Sequence, residues 1–146
     1  MKTHIHLLSS FLIILSSCGE YTPKKNDDIN TYKQQLISTE WLITEMLDEG
    51  QVKTPIFQNF LLTFHADGSI LFTNNTTNYI GSWKLNAEET DDDFVVYLSI
   101  NLEVPNVGEF DLINEVWRVK ESSSSIWRLN KEIEEGQVVK SLTLKS

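Results

Sequence analysis

From Ser38 to its end the chain breaks into short runs of β-branched and aromatic residues separated by turn-forming clusters, and this pattern restricts it to an antiparallel all-β domain. The runs are Thr39–Leu47, Phe60–His65, Ser69–Asn74, Tyr79–Leu85, Phe94–Ile100, Glu115–Lys120, Ser125–Asn130 and Val138–Leu144. Several alternate, with Phe60, Leu62 and Phe64 on one face of their run, Tyr79, Gly81, Trp83 and Leu85 on one face of another, and Trp117 and Val119 on a third. Ala66-Asp67-Gly68-Ser69 predicts a tight hairpin, because Asp and Gly tolerate the backbone conformations such a turn demands. The linkers Ala87–Asp93, Ser122–Ser124 and Glu132–Gly136 are short and polar, so successive strands should be neighbours in an up-and-down meander. Eight strands in one sheet expose two edges unless the sheet closes on itself, and closure into a barrel is the expected remedy.

Upstream, Ile29, Tyr32 and Leu36 recur at helical spacing, which predicts a short helix from Asp27 or Asp28 through Leu36, capped by Asp or Asn and docked on one end of the barrel. At 146 residues there is room for one small domain, spanning 31–146. The formal charge of −9 argues against any partner held by phosphate or anionic headgroups, nucleic acid above all, since that needs clustered cations to displace counterions. A hydrophobic content of 40% excludes a disordered chain.

Residues 1–17 have the organisation of a signal peptide. Lys2 supplies the positive start, Leu7 to Leu15 an apolar core, and Ser16-Ser17 small residues before Cys18. That core is about half the ~20 residues a spanning helix requires. Leu15-Ser16-Ser17-Cys18 resembles the lipobox of bacterial lipoproteins, and the resemblance implies that Cys18 becomes the acylated amino terminus, with a diacylglycerol thioether and palmitate-type acyl chains. Cys18 is also the single cysteine, so no internal disulfide can form. Several acyl chains on one residue give stable anchoring, at about 0.8 kcal/mol per buried methylene. The mature chain would have 146 − 17 = 129 residues and a formal charge of (12 − 1) − 21 = −10. Gly19, where an Asp would retain an enteric lipoprotein at the inner membrane, implies outer-membrane sorting by the same resemblance. Residues 18–30 read as the lipidated cysteine and a flexible spacer, with a reach of at most about 40 Å.

The domain itself resembles the lipocalin-like domain of small secreted and lipoprotein sequences of the Bacteroidetes. The likeness covers roughly residues 36–146 and rests on Trp41-Leu42-Ile43, on Phe60-Leu61-Leu62-Thr63-Phe64 followed by Asp67-Gly68-Ser69-Ile70, on Gly81-Ser82-Trp83, on Trp117-Arg118-Val119 and on Leu142-Thr143-Leu144. It implies a lipocalin-like barrel holding either a plug of side chains or a cavity, and binding of small apolar molecules. In lipocalins proper a Gly-x-Trp opening places a Trp against a late Arg. Here Thr39 stands in the Gly position, and either Arg118 or Arg128 is available to stack on Trp41.

Catalytic chemistry has little to work with. After Cys18 there is one histidine, His65, at a strand end beside a hairpin, and no serine sits in a nucleophile elbow. The acidic run Glu88-Glu89-Thr90-Asp91-Asp92-Asp93 lacks calcium-loop spacing and reads as a solvated loop, and there is no Cys and His constellation for zinc or haem. No enzyme, metal or cofactor is expected. For a barrel this small, side-chain filling is the default. If a pocket is present, alternation gives its lining as Phe60, Leu62, Phe64, Phe72, Trp83, Trp117 and Trp127. The leading expectation is therefore a monomeric, membrane-anchored envelope lipoprotein that binds a small apolar or amphipathic molecule. The alternative is a non-catalytic interaction or structural protein with a solid barrel.

Overall fold

The computed structural model describes residues 29–89, 93–104, 108–133 and 136–146. The expected signal peptide, Cys18, the spacer up to Asp28 and Thr90–Asp92 of the acidic run lie outside the described residues. The described chain begins with helix α1 (Ile29–Ile37), which buries Tyr32 and Leu36 as its spacing predicts. Nine strands follow: β1 (Glu40–Asp48), β2 (Gln51–Val52), β3 (Leu61–Phe64), β4 (Ser69–Thr73), β5 (Asn78–Glu89), β6 (Phe94–Leu102), β7 (Val116–Ser122), β8 (Ile126–Glu132) and β9 (Val138–Lys145). Among the described residues no helix is long and apolar enough to cross a membrane.

Eight of these strands close into an antiparallel barrel, and β1 performs the closure. One of its edges pairs with β3, Trp41 opposite Leu62, while the other pairs with β9 from Leu42 opposite Lys145 to Asp48 opposite Lys140. The register with β9 shifts between Ile43 and Glu45. That bulge inserts one residue and reverses the side-chain phase, so Trp41 and Ile43 before it and Met46 after it all face the core. β2 is an addition that the sequence pattern does not announce: two residues folding back on Leu47 and Asp48 along the edge β1 shares with β3.

The Ala66–Gly68 hairpin forms as expected. Gly68 takes φ +89°, and Asp67 Oδ1 accepts hydrogen bonds from the Ser69 amide (2.9 Å) and hydroxyl (2.7 Å). Asn74 uses its side chain the same way, accepting from the Thr76 and Thr77 amides at 2.9 and 2.8 Å. β5 is longer than its alternating run, because Asn86–Glu89 continue the ladder with β6 beyond the barrel wall.

Each end of the barrel is occupied. At one end lies α1, where the Trp41 indole N–H donates to the Leu36 carbonyl at 2.8 Å and Trp127 meets Tyr32 and Trp41 edge-on at 6.1 and 6.5 Å. At the other end two 3-10 helices, Thr54–Phe57 and Glu109–Ile113, insert Phe57, Phe110 and Ile113. Both are tied to the wall by side chains acting as backbone surrogates. Thr54 Oγ1 accepts from the Met46 amide at 2.9 Å, and Asn114 bonds both the amide and the carbonyl of Leu102 at 2.6 and 3.1 Å.

Candidate functional site

The seven residues expected to line a pocket all face the interior and all are buried: Phe60 at 6% exposure, Phe64 at 1%, Trp83 at 8%, and Leu62, Phe72, Trp117 and Trp127 at 0%. They join one core but split between its two ends. Phe60 and Phe72 stack at 4.3 Å near the 3-10 helices, and Phe110 packs against both at 5.2 and 5.8 Å. Phe57 and Tyr79 complete that group. Phe64 meets Trp83 edge to face at 5.5 Å, and Trp127 belongs to the α1 end. Alternation could not find Phe57 and Phe110, because they come from 3-10 helices with no strand period. Pro55 at the start of the first was the available local hint.

Each tryptophan indole has its N–H occupied by a backbone carbonyl. Trp41 donates to Leu36, Trp83 to His65 (3.0 Å), Trp117 to Ile113 (3.0 Å) and Trp127 to Ser123 (3.1 Å). A binding pocket needs convergent polar groups to orient its ligand. Here those four donors satisfy the fold. Thr143 is a buried polar residue whose hydroxyl donates to Glu45 Oε2 at 3.2 Å, and the side-chain oxygen of Gln35 in α1 is buried without a hydrogen-bond partner among the described residues.

Arg118 and Arg128 lie on the outer wall, held by carboxylates. Arg118 pairs with Glu132 (2.8 Å) and Asp93 (3.7 Å), Lys120 reaches Glu132 at 3.5 Å, and Arg128 pairs with Glu121. Glu115 is clasped by Lys131 and by Lys140, the latter at 2.6 Å. Burial pushes the Glu115 carboxyl up, but hydrogen bonds from the two ammonium groups outweigh it and hold it below its ordinary value. Glu132 behaves alike, with burial opposed by Arg118 and Lys120. Burial is also the main cause that raises Tyr97, beside Glu88. His65 is exposed at its strand end, and among the described residues no group of three metal-ligating side chains converges.

Among the described residues, clefts open on the outside. One of about 240 Å³ lies between α1, the Ala66–Gly68 hairpin and β5, and a second of about 370 Å³ shares Asp67, Gly68, Trp83 and Lys84 with it. A third of about 420 Å³ sits beside the second 3-10 helix and is lined by Asp48, Lys53, Asp111, Asn114, Glu115 and Lys140.

No family model matches the chain, and no curated protein matches it. A solved structure does. It is the crystal structure of a DUF4847 family protein from Bacteroides vulgatus, 16% identical, covering 77% of this chain and 95% of that one, with a TM-score of 0.50. At this identity the likeness carries the fold alone, a barrel. Its source agrees with the bacterial group in which the sequence resemblance places such domains.

Proposed function

We propose that the chain is a non-catalytic envelope lipoprotein, anchored through acylated Cys18, whose solid barrel works as an interaction or structural module through its outer surface. The observation that carries this reading is the state of the interior. The residues available to line a pocket are the packed core, and the four indole donors that could orient a ligand are taken by backbone carbonyls. The anchor rests on Leu15-Ser16-Ser17-Cys18. It implies attachment to a membrane, in the outer membrane by the Gly19 criterion, without a spanning segment.

One observation favours the second reading, an apolar ligand inside the barrel. The aromatic group at one end is completed by Phe57 and Phe110, which come from short 3-10 helices and not from the wall. A ligand that displaced those two rings would meet Phe60, Phe72 and Tyr79. Tryptophan-fluorescence titration with fatty acids, beside native mass spectrometry of protein from an envelope extract, separates the readings. A flat titration and an unliganded mass are expected. Saturable quenching or a co-purifying small molecule would replace the solid barrel with a carrier. Cys18→Ala should abolish acylation and leave uncleaved precursor or released protein. Unchanged detergent partitioning of that variant would sink the anchor.

A further inference from the structure

Beyond Trp83 one edge of β5 stands open. β4 pairs with β5 from Thr73 opposite Asn78 to Ser69 opposite Ser82, whereas β6 follows the other edge as far as Phe94 opposite Glu89. Two hydrogen bonds show which backbone groups the open edge presents. The Trp83 amide donates to the Gly68 carbonyl at 2.8 Å on the β4 side, and the Ile80 carbonyl accepts from the Glu103 amide at 2.8 Å on the β6 side. Alternation along the strand therefore turns the N–H and C=O of Leu85 and Ala87 outward, and among the described residues nothing bonds them there. α1 comes near this edge at Leu85, with the cleft of about 240 Å³ between them. Unpaired ladder groups of this kind are a template for another strand.

The side chains on the same run select the strand that fits. Lys84, Asn86 and Glu88 share the outer face of β5, opposite to Trp83 and Leu85, and both Lys84 and Glu88 are exposed. Among the described residues Lys84 has no carboxylate partner; the same holds for Lys33, Lys53 and Lys145, but of these Lys84 alone lies on the open run of β5. An antiparallel copy of this segment centred on Asn86 sets Lys84 opposite Glu88 and Glu88 opposite Lys84, with the two Asn86 amides facing each other. Leu85 and Ala87 then stand opposite one another and exchange about four backbone hydrogen bonds. Centring the pair on Leu85 or Ala87 sets Asn86 opposite Lys84 or Glu88 and loses both ion pairs. A centre between two residues would set an outward backbone group against an inward one. The charge pattern Lys84-Leu85-Asn86-Ala87-Glu88 is thus complementary to itself in one register.

We infer that the chain pairs with a second copy of itself through this edge, β5 against β5 across a two-fold axis at Asn86. The contact is isologous, so it closes at two copies. It rests on the reading of the barrel as an interaction module working through its outer surface, and it replaces the monomer expected from the sequence. At physiological salt, repulsion between two acidic chains is screened beyond about 8 Å, whereas the facing Lys84 and Glu88 side chains lie within that distance. Copies tethered to one membrane meet at a raised effective concentration, which suits an interface of few bonds.

The test is disulfide trapping of the full, cell-processed chain in envelope membranes. Asn86→Cys brings two thiols together where the Cα atoms would stand about 4.5 Å apart, within disulfide reach. Mild oxidation should give a covalent dimer, and Ser82→Cys, on the same exposed face but already paired with β4, should give about tenfold less. Lys84→Glu added to Asn86→Cys should cut the dimer about tenfold, and Glu88→Lys added to both should restore it. Equal trapping at position 82, indifference to the charge exchange, a mixed disulfide with another protein in place of the dimer, or no trapping would each overturn the inference. The parent chain, whose single cysteine is Cys18, is carried alongside. A disulfide dimer of the parent would mean an unacylated Cys18, a failure of the anchor, and the same series in the Cys18→Ala chain would then decide the interface. A ligand found inside the barrel would remove the solid interior and leave the trapping result standing.

Discussion

Gly81→Ala should be the most damaging single-methyl substitution in the wall. Gly81 lies in β5 opposite Leu102 of β6 and Ile70 of β4. A Cβ built there falls 2.1 Å from the Asn101 carbonyl oxygen and 2.7 Å from the Leu102 Cα, both backbone atoms. An ordinary carbon to oxygen contact needs at least about 3.3 Å. The strands must therefore part by about 1 Å at a point where each is fixed by its neighbours, and the Glu103 amide to Ile80 carbonyl bond of 2.8 Å lies one residue away. Overpacking of this kind costs about 1–3 kcal/mol, and stretching one or two ladder bonds adds about 1 kcal/mol each. A loss of about 3–4 kcal/mol is expected, a large share of the 5–15 kcal/mol typical of such domains. Urea unfolding followed by tryptophan fluorescence should show a lower midpoint with an unchanged slope. Gly108→Ala is the matched control, since nothing lies within 4 Å of its added methyl and its φ of 163° is ordinary extended backbone. It should stay within about 0.5 kcal/mol of the parent. A Gly81→Ala midpoint equal to the control's would refute the close-approach argument.

Three further substitutions probe the caps and the outer wall. Trp41→Phe keeps an apolar ring but removes the donor to the buried Leu36 carbonyl, and should cost about 2–4 kcal/mol in the same urea assay. Asn114→Ala strips partners from both backbone groups of Leu102 and should lose about 1–3 kcal/mol, with faster amide exchange over Glu109–Ile113 as its local signature. Glu115 is depressed in the folded state, so its contribution is complete above the ordinary carboxyl value of 4.5 and is lost as pH falls through the lower folded value. The parent should therefore lose stability more steeply than Glu115→Gln below about pH 4.5, by an amount on the order of 1 kcal/mol, and parallel profiles would contradict the assignment.

The strands were legible because alternation is a property of each run by itself. Leu62 and Phe64, or Trp117, declare an inner face without reference to any other strand, and Asp67-Gly68 declares its turn by local chemistry. The bulge between Ile43 and Glu45 was not legible, since a phase reversal within β1 is set by the partner ladder of β9, about a hundred positions away. The 3-10 helices escaped for a related reason. Thr54–Phe57 and Glu109–Ile113 are too short to show a period, and their stability comes from Thr54 and Asn114 completing ladders that exist only after the barrel has closed. The lining was legible as a set of inward residues. Whether those residues surround a space or fill one depends on what enters from the ends, and Phe57, Phe110, Tyr32 and Leu36 enter from elements outside the strand pattern.

That dependence bears on function. A barrel of eight strands has an interior just wide enough for side chains to fill or for one small ligand to occupy, so its ends decide which. Here α1 closes one end through Trp41 and Trp127, and the 3-10 helices close the other through Phe57 and Phe110. Ligand entry from the second end would have to break the Thr54 and Asn114 bonds that hold those helices, at about 1 kcal/mol or more for each, before any apolar contact was gained. The exterior presents no such barrier. Among the described residues Lys33, Lys53, Lys84 and Lys145 have no carboxylate to release, whereas Arg118, Lys120, Arg128, Lys131 and Lys140 would have to give up Glu115, Glu121 or Glu132 before contacting a partner.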